Sequence, residues 1–201
     1  MLIQMADGYD LSLMDGEILA IREMADADFR LLALEVDSWN DCLSPWKAPA
    51  VFGREGFGGG AEETLGEVLR IAGESGKTLC IGGYSLAGLF ALWASYRTNA
   101  FCGVAAASPS LWYPGFSEYM RANRIRAQRV YLSLGDKEEK TRNPVMRTVG
   151  DRIREAYEWL NGAGVECTLE WNSGNHFADP AGRTARAFAW NLRRMGSRGI
   201  G

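Results

Sequence analysis

Thr78 to Trp93 reads TLCIGGYSLAGLFALW, and the order of its parts decides the fold. Leu79, Cys80 and Ile81 make a short apolar run suited to a buried strand, a glycine turn follows, and Leu86, Leu89, Phe90 and Trp93 then recur on one face of a helix. At the turn stands Gly83-Tyr84-Ser85-Leu86-Ala87, the pattern GxSxG with alanine in the last place. A serine at the tip of a strand-to-helix turn is held in a strained backbone geometry, so the residues two before and two after it must be small. Gly83 and Ala87 are. Such a turn lifts the serine Oγ out of the sheet and aims the Leu86 amide, reinforced by the helix dipole, at the place where an oxyanion would form. The competing reading is local: the glycines merely turn the chain and Ser85 caps the helix. A strand before and a helix after favour the first reading.

Outward from this stretch, strands and helices alternate. Met1–Met5 is apolar enough for a strand, and Asp15–Ala27 offers a helix with Ile18, Leu19, Ile21 and Met24 at helical spacing. Phe29–Val36 reads as a strand covered on both faces. Asp37–Gly60 is a long connection rich in glycine, and its Trp39 and Trp46 argue for a packed pocket wall or an aromatic anchor rather than disorder. Glu62–Ala72 is a helix, Gly103–Ala107 and Val130–Leu134 are strands, and Val145–Leu160 is a helix ended by Asn161 and Gly162. Cys167–Trp171 is the last strand and Pro180–Met195 the closing helix. This alternation implies parallel crossovers: an α/β class, a doubly wound, mostly parallel sheet with helices on both faces, residues 1–201 forming a single domain. In such sheets chemistry collects at the carboxyl ends of the strands.

Composition narrows the partners. A net charge of −3 and a pI near 5.3 supply no basic field for a phosphate backbone, so nucleic acid is not expected. Arg121, Arg124, Arg126 and Arg129 read as the solvated side of a short helix and connection. Cys42, Cys80, Cys102 and Cys167 lie far apart and read as small hydrophobes in a reducing compartment, neither a zinc set nor a bridge framework. The N-terminus has no basic region followed by an apolar one, and no run suits a membrane span, so a cytoplasmic location is the expectation. Gly73–Thr78, GESGKT, superficially suggests a phosphate loop, but Ile71 stands where the first glycine belongs, and the segment leads from a helix into a strand instead of the reverse. No metal or other cofactor is expected.

His176 is the only histidine. Any mechanism needing a base near neutral pH must use it. Ser85, then acids at Asp136, Glu138 and Glu139, then His176 each follow their own strand, in the nucleophile, acid, base order of the α/β hydrolases. His176 Nε2 would accept the Ser85 proton while a carboxylate binds Nδ1 and stabilises the imidazolium. Glu138, a turn beyond Gly135, is the favoured acid and Asp136 the alternative. Trp39, Trp46 and Trp112, with Tyr84 beside the nucleophile, would shape a moderately apolar pocket.

Taken together, GGYSLAGLFALW, AASPSLWYPGF, VYLSLGDKE and the late GNHF resemble the esterase branch of the α/β-hydrolase superfamily that includes siderophore and feruloyl esterases and S-formylglutathione hydrolases. The similarity covers most of the chain from residue 79 onward. It implies a compact α/β-hydrolase fold and an acid three residues after a strand-ending glycine, which maps onto Glu138; in so short a chain no separate cap domain is expected between the fourth and fifth strands. It also implies a second oxyanion donor in the loop after the first recognisable strand, the backbone amides of Ala6 and Asp7. This sequence departs in Ala87 and in lacking the antiparallel strands that ordinarily precede the region, so one sheet edge is short and could pair with a second copy as a homodimer. The expectation is a serine hydrolase acting on a small-molecule ester. Acyl transfer through the same residues, or a silent fold kept for binding, are the alternatives.

Overall fold

The computed structural model describes residues 1–73 and 78–196. The elements run β1 (Leu2–Ala6), α1 (Gly8–Met24), β2 (Leu31–Glu35), α2 (Trp39–Cys42), β3 (Lys47–Ala48), β4 (Phe57–Gly58) and α3 (Ala61–Gly73). They continue β5 (Leu79–Tyr84), α4 (Leu86–Arg97), β6 (Phe101–Ala107), α5 (Phe116–Ala122), β7 (Arg129–Gly135), α6 (Val149–Gly162), β8 (Glu166–Asn172) and α7 (Pro180–Gly196). Six strands form one sheet in the order β2-β1-β5-β6-β7-β8, every neighbouring pair parallel. Strands β3 and β4 make a separate antiparallel pair inside the Asp37–Gly60 connection.

The strand period of two sorts the core onto the two faces of the sheet. Leu2, Cys80, Ala105 and Tyr131 pack with Ile21 of α1 and Ala185, Phe188 and Ala189 of α7. Ile3, Ile81, Val104, Ala106, Val130 and Leu132 pack with Leu65 and Val68 of α3, Leu89 and Phe90 of α4, and Ile153 and Leu160 of α6. The chain leaves β1 for the edge strand β2 and returns to β5 on the other side of β1. That reversal opens a crevice at the carboxyl ends of the strands, and Ser85 follows β5 directly into it.

Several boundaries differ from the sequence expectation for local reasons. Helix α1 begins at Gly8, well before Asp15, because Asp7 caps it: its carboxylate accepts the Asp10 amide at 2.8 Å and Asp10 answers to the Asp7 amide at 3.4 Å. Leu19, placed on the apolar stripe by spacing, is 58% exposed. Strand β2 is only half-buried, as an edge strand is. Arg129, expected in solvent, opens β7 fully buried with Nη2 3.4 Å from Cys102 Sγ. All four cysteines are free. Of the GESGKT stretch, residues 74–77 lie outside the described residues; α3 ends before it and β5 begins after it.

One buried group on the α1 face has a measurable consequence. Glu17 of α1 is 3% exposed and its Oε2 accepts from Gln4 Nε2 of β1 at 3.3 Å, while Oε1 of each residue has no partner. Burial, only partly offset by the Gln4 hydrogen bond and added to by the Asp10 charge, pushes the Glu17 carboxyl up to about 8. A carboxyl raised in the folded state binds its proton more tightly there, so its cost to stability is absent below the unfolded value near 4.5 and grows as pH rises toward 8. Glu17→Gln should therefore match the wild type in urea unfolding at pH 4.5 and exceed it by on the order of 3–5 kcal/mol at pH 9.

Candidate active site

Ser85 has φ 56° and ψ −118°, a left-handed backbone that a non-glycine residue adopts only when its surroundings hold it there. What holds it is visible. The Ser85 amide donates to the Ala107 carbonyl at 3.1 Å, and the Ser85 carbonyl accepts from the amides of Leu89 and Ser110, each at 3.1 Å. The small neighbours are required, since a Cβ on Gly83 would lie 2.6 Å from the Ala87 Cβ. The Ser85 side chain makes no capping bond to α4, which removes the local reading of the motif. Its Oγ lies instead 3.0 Å from His176 Nε2 and 3.3 Å from Ser110 Oγ. Leu86 opens α4, where the first amides have no partner within the helix.

His176 Nδ1 lies 2.6 Å from Glu138 Oε2. Glu138 is 8% exposed, and its other oxygen, Oε1, accepts from the Gly135 amide at 2.7 Å, Ser108 Oγ at 2.8 Å and Arg183 Nη1 at 2.8 Å. Burial works to raise this carboxyl, but the hydrogen bond and charge of His176, with the Gly135 and Ser108 donors, outweigh it and hold Glu138 below the ordinary carboxylate range. The carboxylate thus stays ionised beside the ring. Gly135 is obligatory here, because a Cβ would sit 2.4 Å from the Gly174 carbonyl oxygen and 2.9 Å from Glu138 Oε1.

Arg183, absent from the sequence expectation, ties these parts together. It is fully buried; Nη1 reaches Glu138, Ser108 Oγ at 3.1 Å and Tyr84 Oη at 3.1 Å, while Nη2 donates to the carbonyls of Ser173 and Asn175 at 3.1 Å each. One guanidinium therefore neutralises the acid and fixes the loop that carries His176. The signal in the sequence was positional: 183, 187 and 191 lie four apart on the side of α7 that faces the sheet. Ser108, also missed, has φ 43° and sits directly after β6.

The remaining candidates separate. Asp136 does not touch the imidazole: its Oδ1 accepts the Gly174 amide at 2.8 Å, pinning the histidine loop from the other side. Trp39 and Trp112 line a cavity of about 430 Å³ that holds Ser85, Leu86 and Ser110, together with Asn40, Phe52 and Phe57. Trp46 is not among its lining residues; its Nε1 donates to the Pro114 carbonyl at 2.9 Å and its ring packs on Tyr113, Phe116 and Tyr119, so it is an anchor for the long connection. Tyr84 is also turned away from the cavity, because it is the last residue of β5 and its hydroxyl runs under the site to donate to the His176 carbonyl at 2.6 Å. Ala6 and Asp7 are likewise absent from the lining. The Asp7 amide donates to Asp10 Oδ2 at 3.4 Å in the α1 capping box, and Ala6 is paired opposite Glu35 in the sheet. Besides His176, the Ser110 hydroxyl lies within reach of Ser85 Oγ, and Asn40 is a further polar residue in the cavity lining.

Among the described residues no group of three or more His, Cys, Asp or Glu side chains is arranged to share a metal ion, and no helix is long and apolar enough to cross a membrane. The sequence matches no family model and no curated protein. Solved structures with a similar fold include enterochelin esterase from Shigella flexneri, at TM-score 0.66 and 16% identity over 97% of this chain and 52% of that one. A variant of SOBER1 from Arabidopsis thaliana follows at TM-score 0.58 and 17% identity, over 96% and 98%. Shigella flexneri enterobactin esterase, solved in the presence of 2,3-dihydroxy-N-benzoylglycine, gives 0.53 and 21% over 68% and 38%. The chain spans between 38% and 52% of the length of these Shigella esterases.

Proposed function

We propose that this chain, which has the α/β-hydrolase fold, is a serine hydrolase of carboxylic esters. One observation carries the reading: a continuous chain of contacts, 2.6 Å and then 3.0 Å, from an ionised buried carboxylate through the only imidazole to a serine hydroxyl on a strained turn. With the proton on Nδ1, His176 Nε2 accepts the Ser85 proton as Oγ bonds to the acyl carbon. Glu138 stabilises the imidazolium that forms. The Leu86 amide meets the developing oxyanion, and the Ser110 hydroxyl lies within reach of the same centre. Collapse expels the alcohol, which takes the proton from Nε2. Water, deprotonated by the same nitrogen, then cleaves the acyl-enzyme and restores Ser85. The aromatic walls suit an apolar or aromatic acyl group.

A fluorophosphonate probe tests this directly. Mass spectrometry of the intact protein should show one adduct, and digestion should place it on the peptide containing Ser85. In His176→Ala labelling should fall by about two orders of magnitude or more, since the hydroxyl loses its base. Undiminished labelling in that variant, or an adduct on another serine, would contradict the reading.

A further inference from the structure

A second cavity, of about 300 Å³, adjoins the first. His176, Phe177, Trp112 and Met146 line both, so the two are lobes of one cleft divided at the imidazole. Ser85 and Leu86 line only the larger lobe, whereas the smaller touches His176 and Glu138 without Ser85. If the site acts as an esterase, this assigns the lobes. The acyl carbon must bond to Ser85 Oγ, and the departing alcohol oxygen must take its proton from Nε2. The acyl group then occupies the larger, aromatic lobe, and the alcohol leaves through the smaller one.

The smaller lobe differs in chemistry. Lys137 and Lys140 line it, with Thr141 and Asn175 as further polar groups and Met146 and Val149 as an apolar wall. Neither lysine makes an ion pair among the described residues. Two carboxylates near them are paired with arginines, Glu138 with Arg183 at 2.8 Å and Glu139 with Arg154 at 3.1 Å, while Asp136 keeps its charge, accepts the Gly174 amide at 2.8 Å and does not line the lobe. Because Arg183 offsets the charge of Glu138, the charged side chains that line the lobe leave a net positive wall at Lys137 and Lys140 despite the carboxylate among them. Such a wall attracts an anion at the far end of the alcohol while its apolar side accepts a short methylene chain.

We infer that the preferred substrates are esters whose alcohol portion carries an anionic group, a carboxylate on a short aliphatic chain, received by Lys137 and Lys140. This rests on the esterase reading above, and the test separates the two. 4-Benzoyloxybutanoate and its neutral amide, 4-benzoyloxybutanamide, share the acyl group and differ only at the remote end, so the ratio of their kcat/KM values reports the lobe alone. At low ionic strength the ratio should favour the carboxylate by between about threefold and tenfold, the range that two exposed charge pairs support. It should fall toward unity at about 0.5 M salt, where the screening length is a few ångströms. In Lys137→Glu/Lys140→Glu it should drop below one; a general loss of rate cancels in the ratio. A wild-type ratio of one or less, or a preference that survives the double substitution, overturns the inference. The non-hydrolysable pair 4-benzamidobutanoate and 4-benzamidobutanamide, titrated by tryptophan fluorescence, reads the same lobe without turnover. Tighter binding of the acid supports the subsite even if no ester is cleaved, an outcome that would overturn the esterase reading alone; equal binding of the two overturns the subsite even where esters are cleaved.

Discussion

Ser85→Ala is expected to lower kcat on a short p-nitrophenyl ester by about 10⁵- to 10⁶-fold, with His176→Ala close behind and the Ser85→Ala/His176→Ala double variant no slower than either. In the proposed mechanism the hydroxyl and the ring, 3.0 Å apart, act on one proton, so losing either removes the same step. What remains in each variant is binding and the oxyanion donors, which hold water and ester together but supply no activated nucleophile. Non-additivity is the informative part. Two residues that contributed independently would multiply their losses. Initial rates above the buffer background, with circular dichroism to establish that each variant is folded, check the expectation. A double variant slower than the singles by the product of their effects would show that the two side chains do not form a unit.

Arg183→Met is expected to cost about 3–5 kcal/mol of stability, because it leaves Glu138 buried without its cation and frees the carbonyls of Ser173 and Asn175. A second effect distinguishes positioning from packing. Glu138 is held below the ordinary carboxylate range in the intact site. With a depressed value, its contribution is present above the ordinary carboxylate value and is lost as pH falls through the folded one. Removing the guanidinium takes away a positive charge 2.8 Å from Oε1, so the hydrogen-bonded Glu138–His176 unit as a whole takes up a proton more readily and the acidic limb of kcat/KM moves to higher pH. Arg183→Lys keeps a charge but not the fork, and should restore the acidic limb more fully than the stability. Chemical denaturation and a pH–rate profile measure the two quantities. A profile unchanged in Arg183→Met would reduce Arg183 to a packing role.

The parts of the site legible in the sequence were those with a local cause. Ser85 was legible because the residues that strain its turn are adjacent to it, and His176 because there is no other imidazole. Glu138 was favoured over Asp136 on its distance from Gly135, and the structure gives Asp136 a different task, holding Gly174. Trp46 and Tyr84 were placed in the pocket because they are large and near the right motifs. Nearness in the chain does not set the side a residue faces: Tyr84 ends β5 and turns beneath the site, and Trp46 is drawn to the Pro114 carbonyl. Ala6 and Asp7 were expected as oxyanion donors through resemblance, and a capping box that starts α1 early engages the Asp7 amide instead. Arg183 was illegible for the opposite reason. An arginine on an amphipathic helix ordinarily faces water, and only the convergence of β5, β6, β7 and the histidine loop beneath α7 makes a buried cation necessary there.

By itself, the sequence determined the alternation of strands and helices and the elbow at Ser85, since each follows from periodicity and steric demands acting over a few residues, and it places Ser85, the acids at 136, 138 and 139 and His176 each after its own strand. Only the tertiary structure decided which carboxylate meets the imidazole, which aromatics line the cleft, that Lys137 and Lys140 line its smaller lobe and that Arg183 is buried against Glu138. Those depend on distances between segments tens of residues apart, which hydrophobic burial on both sheet faces brings together and no local pattern encodes.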